Sequence, residues 1–266
     1  MDPILTATLC VGGIGLVAAG ALALADKFIS VREDPRIGEV AKTLPGANCG
    51  GCGFAGCADY ARAIVSGTAA PNLCSVGGSA VEAQIAALLG IQAGEARERR
   101  VAVVHCRGNC GEAVRRSAYN GIADCSADHA TAGGDKGCSF GCLGLGTCAR
   151  QCPVQAISLQ DGIAVVDKGR CIGCGKCVAA CPRRLIELVP ASEDVHVFCS
   201  SQDKGPAVKK VCGKGCLGCT ICTKLSPGAF VMKGALAVRD YTQPVKSPAV
   251  VEKCPGHCIG RDGADA

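Results

Sequence analysis

The chain has 266 residues, a formal net charge of +5, no tryptophan and only 3% aromatic residues. So few aromatic side chains, without a long run of Lys or Arg, argue against nucleic-acid binding. Cysteine occurs 23 times, in tandem runs whose spacings are too short for most of the thiols to pair as disulfides. This composition indicates two or three small domains held by metal in a reducing compartment.

The first predicted element is an uncharged stretch from Pro3 to Ala25, long enough to cross a membrane as a helix. No basic residue precedes it, whereas Lys27 and Arg32 follow it. The positive-inside rule therefore predicts that residues 1–26 are a single-pass anchor in the cell inner (cytoplasmic) membrane, with the following domains in the cytoplasm. The alternative is a cleaved signal peptide, which would carry a basic n-region and a shorter apolar core.

Residues 31–78 predict a small helical domain around one metal centre. Asp34 and Pro35 indicate a helix start, and the helix is expected to reach Thr43. The glycine-rich sequence GANCGGCGFAGC follows, and a second helix is expected from Ala58 to Ser66. The predicted ligands of one [4Fe–4S] cluster here are Cys49, Cys52, Cys57 and Cys74.

A helix and a charged linker are expected over residues 79–100, and a connecting segment with cysteines over residues 101–137. A short strand from Val101 to Val104 is expected to open the second segment. Three cysteines cannot complete a four-ligand site, so they are either inert thiols or ligands of a fifth cluster with a recruited partner. These three are Cys106, Cys110 and Cys125, and the candidate partners are Cys138, Cys199, Cys212 and Cys258. His105 and His129 are further candidate ligands.

Two cysteine runs, each ending in Cys-Pro, predict a two-cluster ferredoxin-like domain over residues 138–190. In two-cluster ferredoxins the cysteine before each proline ligates the other cluster. One predicted quartet is Cys152 with Cys171, Cys174 and Cys177. The other is Cys138, Cys142 and Cys148 with Cys181, and its spacing is looser. Zinc also accepts Cys-x2-Cys pairs, but the twofold repetition of four cysteines before proline favours iron–sulfur clusters.

The unit repeats over residues 195–260 with one site erased. GCLGLGTCARQCP at 141–153 aligns with GCLGCTICTKLSP at 215–227, which puts Leu145 opposite a cysteine. One quartet is complete in the second repeat: Cys216, Cys219, Cys222 and Cys254. The counterparts of the Cys152 quartet are Ser226, Pro244, Ser247 and Val250. Because all four ligands of one site are missing together, this degenerate domain is expected to carry one cluster, and Cys138 is expected to replace the ligand lost at position 145.

The anchor helix, the GANCGGCGFAGC unit and the ferredoxin repeats, in this order, resemble the B subunit of the Rnf complex. That family is a membrane-bound, ion-translocating ferredoxin:NAD oxidoreductase. The resemblance implies a multi-cluster electron-transfer subunit that relays electrons between soluble ferredoxin and the flavin-carrying and membrane subunits. The ligand inventory of the sequence predicts an α+β chain with four to five [4Fe–4S] clusters, the fifth depending on a partner for Cys106, Cys110 and Cys125.

The sequence contains no nucleophile–base pair, dinucleotide fingerprint or phosphate-binding loop, so no catalytic residue is predicted. Whether the chain counts as an enzyme stays open, since bond chemistry would belong to other subunits. Two alternatives also stay open. The chain could serve another membrane oxidoreductase, such as a dehydrogenase or hydrogenase, or it could be a membrane-tethered iron–sulfur scaffold.

Overall fold

The structure is a computed structural model that describes residues 3–29, 34–92 and 98–262. The fold is α+β, as the sequence predicts, with an N-terminal helix, a small helical unit and two ferredoxin-like units. The predicted linker at residues 94–100 lies mostly outside the described residues.

Helix α1 runs from Pro3 to Ile29, so the helix continues past the predicted anchor. Its segment Ala7–Ala25 is long and apolar enough to cross a membrane, by length and composition. The Thr8 hydroxyl donates to the carbonyl oxygen of Ile4 over 2.8 Å. This bond satisfies the one hydroxyl of that segment inside the helix itself.

The small helical unit packs three helices around a buried tyrosine. Its elements are α2 (Pro35–Thr43), α3 (Cys57–Val65), a 3-10 turn (Pro71–Leu73) and α4 (Gly78–Leu89). The side chain of Asp34 caps α2 by accepting from the backbone N of Arg36 over 2.9 Å. The Tyr60 hydroxyl donates to the carbonyl oxygen of Ala70 and accepts from the backbone N of Leu73. These two bonds fix the turn that leads to Cys74.

The two ferredoxin-like units share one topology, in which the outer strands pair and the inner strands form a hairpin. The strands of the first unit are β1 (Arg100–Val104), β2 (Ile157–Gln160), β3 (Ile163–Val166) and β4 (Ile186–Pro190). The strands of the second are β5 (Val195–Val197), β6 (Phe230–Lys233), β7 (Leu236–Arg239) and β8 (Ile259–Arg261). Antiparallel pairs join β1 to β4, β2 to β3, β5 to β8 and β6 to β7.

Short helices lie between these strands. The first unit holds α5 (Cys125–Ala130), α6 (Thr147–Arg150) and α7 (Lys176–Ala180). The second holds α8 (Gly205–Val211), α9 (Ile221–Leu225) and α10 (Ala249–Glu252). Strand β1, at the start of the expected connecting segment, pairs with β4 along its whole length and so belongs to the sheet of the first ferredoxin-like unit.

Candidate metal centres

The first candidate centre lies in the glycine-rich loop between α2 and α3. Its cavity, of about 330 Å³, is lined by Cys49, Cys52, Cys57 and Cys74. Gly53 takes a left-handed φ of 89°, which a residue with a side chain rarely adopts. Oδ1 of Asn48 accepts from the backbone N of Cys57 over 2.8 Å and so holds the loop against α3. The backbone N of Gly77 donates to Sγ of Cys74 over 3.3 Å. The structure thus brings together the four cysteines that the sequence groups.

The second candidate centre has the crossed arrangement of ligands. A cavity of about 310 Å³ is lined by Cys152, Cys171, Cys174 and Cys177. The backbone N of Ala156 donates to Sγ of Cys152 over 3.2 Å, and that of Ala102 donates to Sγ of Cys171 over 3.4 Å. Such N–H···S bonds stabilise thiolates that carry a metal cluster.

The third candidate centre differs from the predicted quartet in one residue. A cavity of about 370 Å³ is lined by Cys125, Cys142, Cys148 and Cys181. Cys138 is not among the residues that line it. Burial, together with the negative charges of the neighbouring thiolates, raises the pKa of the Cys148 thiol to about 12.

Helix α5 holds Cys125 at this cavity. Asp124, its N-cap, accepts from the hydroxyl of Thr147 over 2.9 Å and from the guanidinium of Arg150 over 3.1 Å. The backbone N of Cys125 donates to Oγ1 of Thr147 over 2.8 Å. In the alignment of the two repeats, Leu145 stands where the second repeat has a cysteine. Helix α5, which lies outside the aligned segment, places Cys125 at this cavity. No cysteine spacing could have revealed this ligand, because the contact joins residues far apart in sequence.

The fourth candidate centre lies in the second unit and contains one thiol more than predicted. A cavity of about 360 Å³ is lined by Cys216, Cys219, Cys222, Cys254 and Cys258. Sγ of Cys258 lies 3.7 Å from Sγ of Cys254. Hydrogen bonds from the Cys258 thiol lower the pKa of Cys216 and of Cys254. Cys258 is thus a donor beside the predicted ligands.

At the erased site, Ser226 and Val250 are buried side chains. Ser226 is fully buried, and its Oγ accepts from the backbone N of Ser247 over 3.2 Å. Val250 is 1% exposed within the apolar core of the second unit. The space that holds four cysteines in the first unit is therefore occupied by a hydrogen bond and an apolar side chain here.

The trio Cys106, Cys110 and Cys125 does not assemble. Cys110 is exposed and lies against the β2–β3 turn, where Gly162 has room only because it lacks a Cβ. Cys106 lies instead near Cys212, outside the cavity that Cys125 lines. Of the two candidate histidines, His105 bonds to the carbonyl oxygen of Val197 and to Glu187, and His129 is exposed.

The four cavities share features that fit a cubane cluster. Each is lined by at least four cysteines. Four thiolates around one space are the ligand set that a [4Fe–4S] cluster takes.

Two protein-family models match segments of the chain that contain some of these cysteines. The family model described as "Putative Fe-S cluster" matches residues 44–76, which include the four cysteines of the first cavity. The model described as "4Fe-4S binding domain" matches residues 164–187, which include the second cysteine run. The chain therefore contains 4Fe–4S binding domains.

Three relatives are similar to most of the chain. The B subunit of the ion-translocating oxidoreductase complex from Methanosarcina acetivorans is 43% identical over 93% of this chain and 94% of its own length. The B subunit of the Na(+)-translocating ferredoxin:NAD(+) oxidoreductase complex from Acetobacterium woodii is 41% identical over 98% of this chain and 79% of its own length. The B subunit of the proton-translocating ferredoxin:NAD(+) oxidoreductase complex from Clostridium ljungdahlii is 45% identical over 76% of this chain and 72% of its own length. With such identity across its cluster-binding and N-terminal segments, this chain belongs to the family of B subunits of Rnf-type, ion-translocating oxidoreductase complexes.

Proposed function

We propose that the chain is the membrane-anchored electron-transfer subunit of an ion-translocating ferredoxin:NAD oxidoreductase complex. The observation that carries the proposal is the set of four cavities, each lined by four or five cysteines. A bound [4Fe–4S] cluster would supply reversible one-electron redox chemistry at each of them.

The cavity linings support three quartets: Cys49, Cys52, Cys57 and Cys74, then Cys152, Cys171, Cys174 and Cys177, then Cys125, Cys142, Cys148 and Cys181. In the fourth, we assign Cys216, Cys219, Cys222 and Cys254 as ligands. These four have the regular ferredoxin spacing. Cys258 stands where the first unit has Leu185, a non-ligand.

Close packing between the first two centres supports a relay. A Cβ on Gly51, in the loop of the first centre, would lie 3.1 Å from Cα of Cys174, a ligand of the second. The second and third centres share one unit, where helices α6 and α7 pack against each other. Because electron tunnelling weakens steeply with distance, adjoining sites suit a carrier of electrons better than a store of iron.

The N-terminal helix supports membrane attachment with the cluster-binding units in the cytoplasm. Helix α1 places no ionisable side chain other than the Cys10 thiol in its segment Ala7–Ala25. The basic residues that follow favour the cytoplasmic side. There the units would meet soluble ferredoxin as electron donor and the flavin-carrying and membrane subunits as acceptors. The net charge of +5 suits an acidic carrier protein.

A scaffold that hands clusters on is the second candidate, and one experiment separates the two functions. The anaerobically purified chain is mixed with reduced ferredoxin and, separately, with cluster-free ferredoxin. A relay is reversibly reduced in the first mixture and keeps its iron in the second. Transfer of iron and sulfide to the cluster-free ferredoxin, without reduction in the first mixture, would contradict the proposal.

A further inference from the structure

Four cysteines outside the four cavities stand at matching positions of the two ferredoxin-like units. Cys106 follows β1, and Cys199 follows β5. Cys138 and Cys212 each stand four positions before the first cysteine of the GCLG sequence in their unit. The duplicated fold therefore supplies the same pair of thiols twice.

Side-chain contacts bring the segments that carry Cys106 and Cys199 side by side. Nδ1 of His105 lies 2.8 Å from the carbonyl oxygen of Val197. Oγ of Ser200 donates to the carbonyl oxygen of His105 over 3.1 Å. The segments that carry Cys106 and Cys199 therefore adjoin each other across the boundary between the units.

Backbone hydrogen bonds hold the segments that carry Cys138 and Cys212 against one residue, Val114. The backbone N of Val114 donates to the carbonyl oxygen of Val211 over 3.0 Å. The carbonyl oxygen of Val114 accepts from the backbone N of Gly137 over 2.7 Å. Because Val211 precedes Cys212 and Gly137 precedes Cys138, these two cysteines are held on either side of the same short segment.

Two sulfur atoms of the set face one space. A Cβ on Gly108 would lie 3.0 Å from Sγ of Cys212 and 3.9 Å from Sγ of Cys106. Together with the contacts of His105, Ser200 and Val114, this places the four cysteines in one region at the boundary between the units.

The backbone donates to these sulfurs as it does at the predicted clusters. The N–H of Cys142 donates to Sγ of Cys106 over 3.3 Å. In the second unit, the N–H of Cys216 donates to Sγ of Cys199 over the same 3.3 Å. Two such bonds at matching positions indicate thiolate ligands rather than inert thiols.

A buried cation adds an independent observation. The Lys136 side chain is 4% exposed, and its ammonium donates to the carbonyl oxygens of Gly108 and Cys142. No carboxylate pairs with it among the residues that the structure describes. A buried ammonium without a counter-charge is costly. An anionic metal–thiolate group at this place would supply the missing charge.

We propose that Cys106, Cys138, Cys199 and Cys212 bind a fifth [4Fe–4S] cluster, between the two ferredoxin-like units. The inference rests on the proposed function, since it adds a station to the same relay. The site adjoins both neighbours, because Cys142 lines the third cavity and Cys216 lines the fourth.

The test compares iron content and low-temperature EPR of anaerobically purified full-length chains. The variants are Cys106→Ser, Cys199→Ser and the double variant, and Cys110→Ser is the matched control because Cys110 lies outside every quartet. We expect the unsubstituted chain to contain about 20 iron atoms, at four per cluster. Each single variant should contain about 16, with loss of the same EPR signal. The double variant should lose no more iron than either single variant, because both residues serve one cluster.

Two results would overturn the fifth site while leaving the proposed function intact. One is an unsubstituted chain with about 16 iron atoms, with or without one zinc ion, at four iron atoms per cluster. The other is additive iron loss in the double variant, which would place the two cysteines in separate sites. If the variants do not fold, the iron content of the unsubstituted chain decides. Little iron and sulfide throughout would instead contradict the proposed function itself.

Discussion

Gly51 packs directly against Cys174, with an added Cβ on the glycine lying 3.1 Å from Cα of the cysteine. This close approach joins the N-terminal loop to a ligand of the second centre. Backbone packed on backbone cannot yield as a flexible side chain does. The contact therefore sets the spacing between the first two stations of the relay.

We predict that Gly51→Leu slows electron exchange between these two centres while the iron content stays unchanged. The added side chain must push the loop away from Cys174, and tunnelling weakens with the added distance. Stopped-flow reduction and the magnetic interaction between the two reduced clusters measure the effect. Gly38→Leu is the control, because a Cβ at Gly38 meets nothing within 4 Å. Equal rates in both variants would show that the contact does not set the spacing.

Cys125→Ser should remove the third cluster, and Cys138→Ser should leave it in place. Cys125 lines the cavity with Cys142, Cys148 and Cys181, whereas Cys138 lies with Cys212 outside it. EPR of the reduced chain distinguishes them, because the second and third clusters share one unit and should interact magnetically. That interaction should disappear in Cys125→Ser and persist in Cys138→Ser. The reverse outcome would restore the quartet that the sequence predicts.

Cys258→Leu should retain the fourth cluster. Leu185 occupies the equivalent position of the first unit and is 2% exposed there, so the fold accommodates leucine at this point. We expect unchanged iron content and a shifted reduction potential, because a thiol that donates to Cys216 and Cys254 is removed. Loss of about four iron atoms would make Cys258 a ligand.

Ser226→Ala should weaken the second unit without loss of iron. The Oγ of Ser226 accepts from the backbone N of Ser247 in a fully buried setting. Leaving that N–H without a partner should lower the free energy of unfolding by about 1–3 kcal/mol, visible as a lower thermal midpoint. Cys152→Ala, at the equivalent position of the first unit, should instead cost a cluster. Iron loss from Ser226→Ala would mean that the erased site still holds metal.

The helices of the N-terminal unit could be predicted from sequence, and the sequence groups most of the cysteines that line each cavity, because these determinants are local. Asp34 and Pro35 start α2 within the segment they cap. Three ligands of a ferredoxin site lie in one loop, and their spacing alone identifies them. The erased site was equally readable, because Ser226 and Ser247 stand where the first repeat has cysteines.

The groupings that sequence could not give depend on contacts between distant segments. Asp124 bonds to Thr147 on α6 and so holds Cys125 at its cavity. Cys106 and Cys199 stand alone in sequence, and the bonds of His105 to Val197 and of Ser200 to His105 bring their segments together. Isolated cysteines carry no spacing, so the sequence could suggest a fifth cluster without identifying its four ligands.

The number and kind of metal centres in the intact chain test most directly whether it is a multi-cluster electron carrier. Native mass spectrometry of the anaerobically purified full-length protein, with iron and acid-labile sulfide analysis, measures both at once. We predict five [4Fe–4S] clusters, with about 20 iron and about 20 sulfide ions per chain. A chain that carries stoichiometric zinc and little acid-labile sulfide would contradict the account.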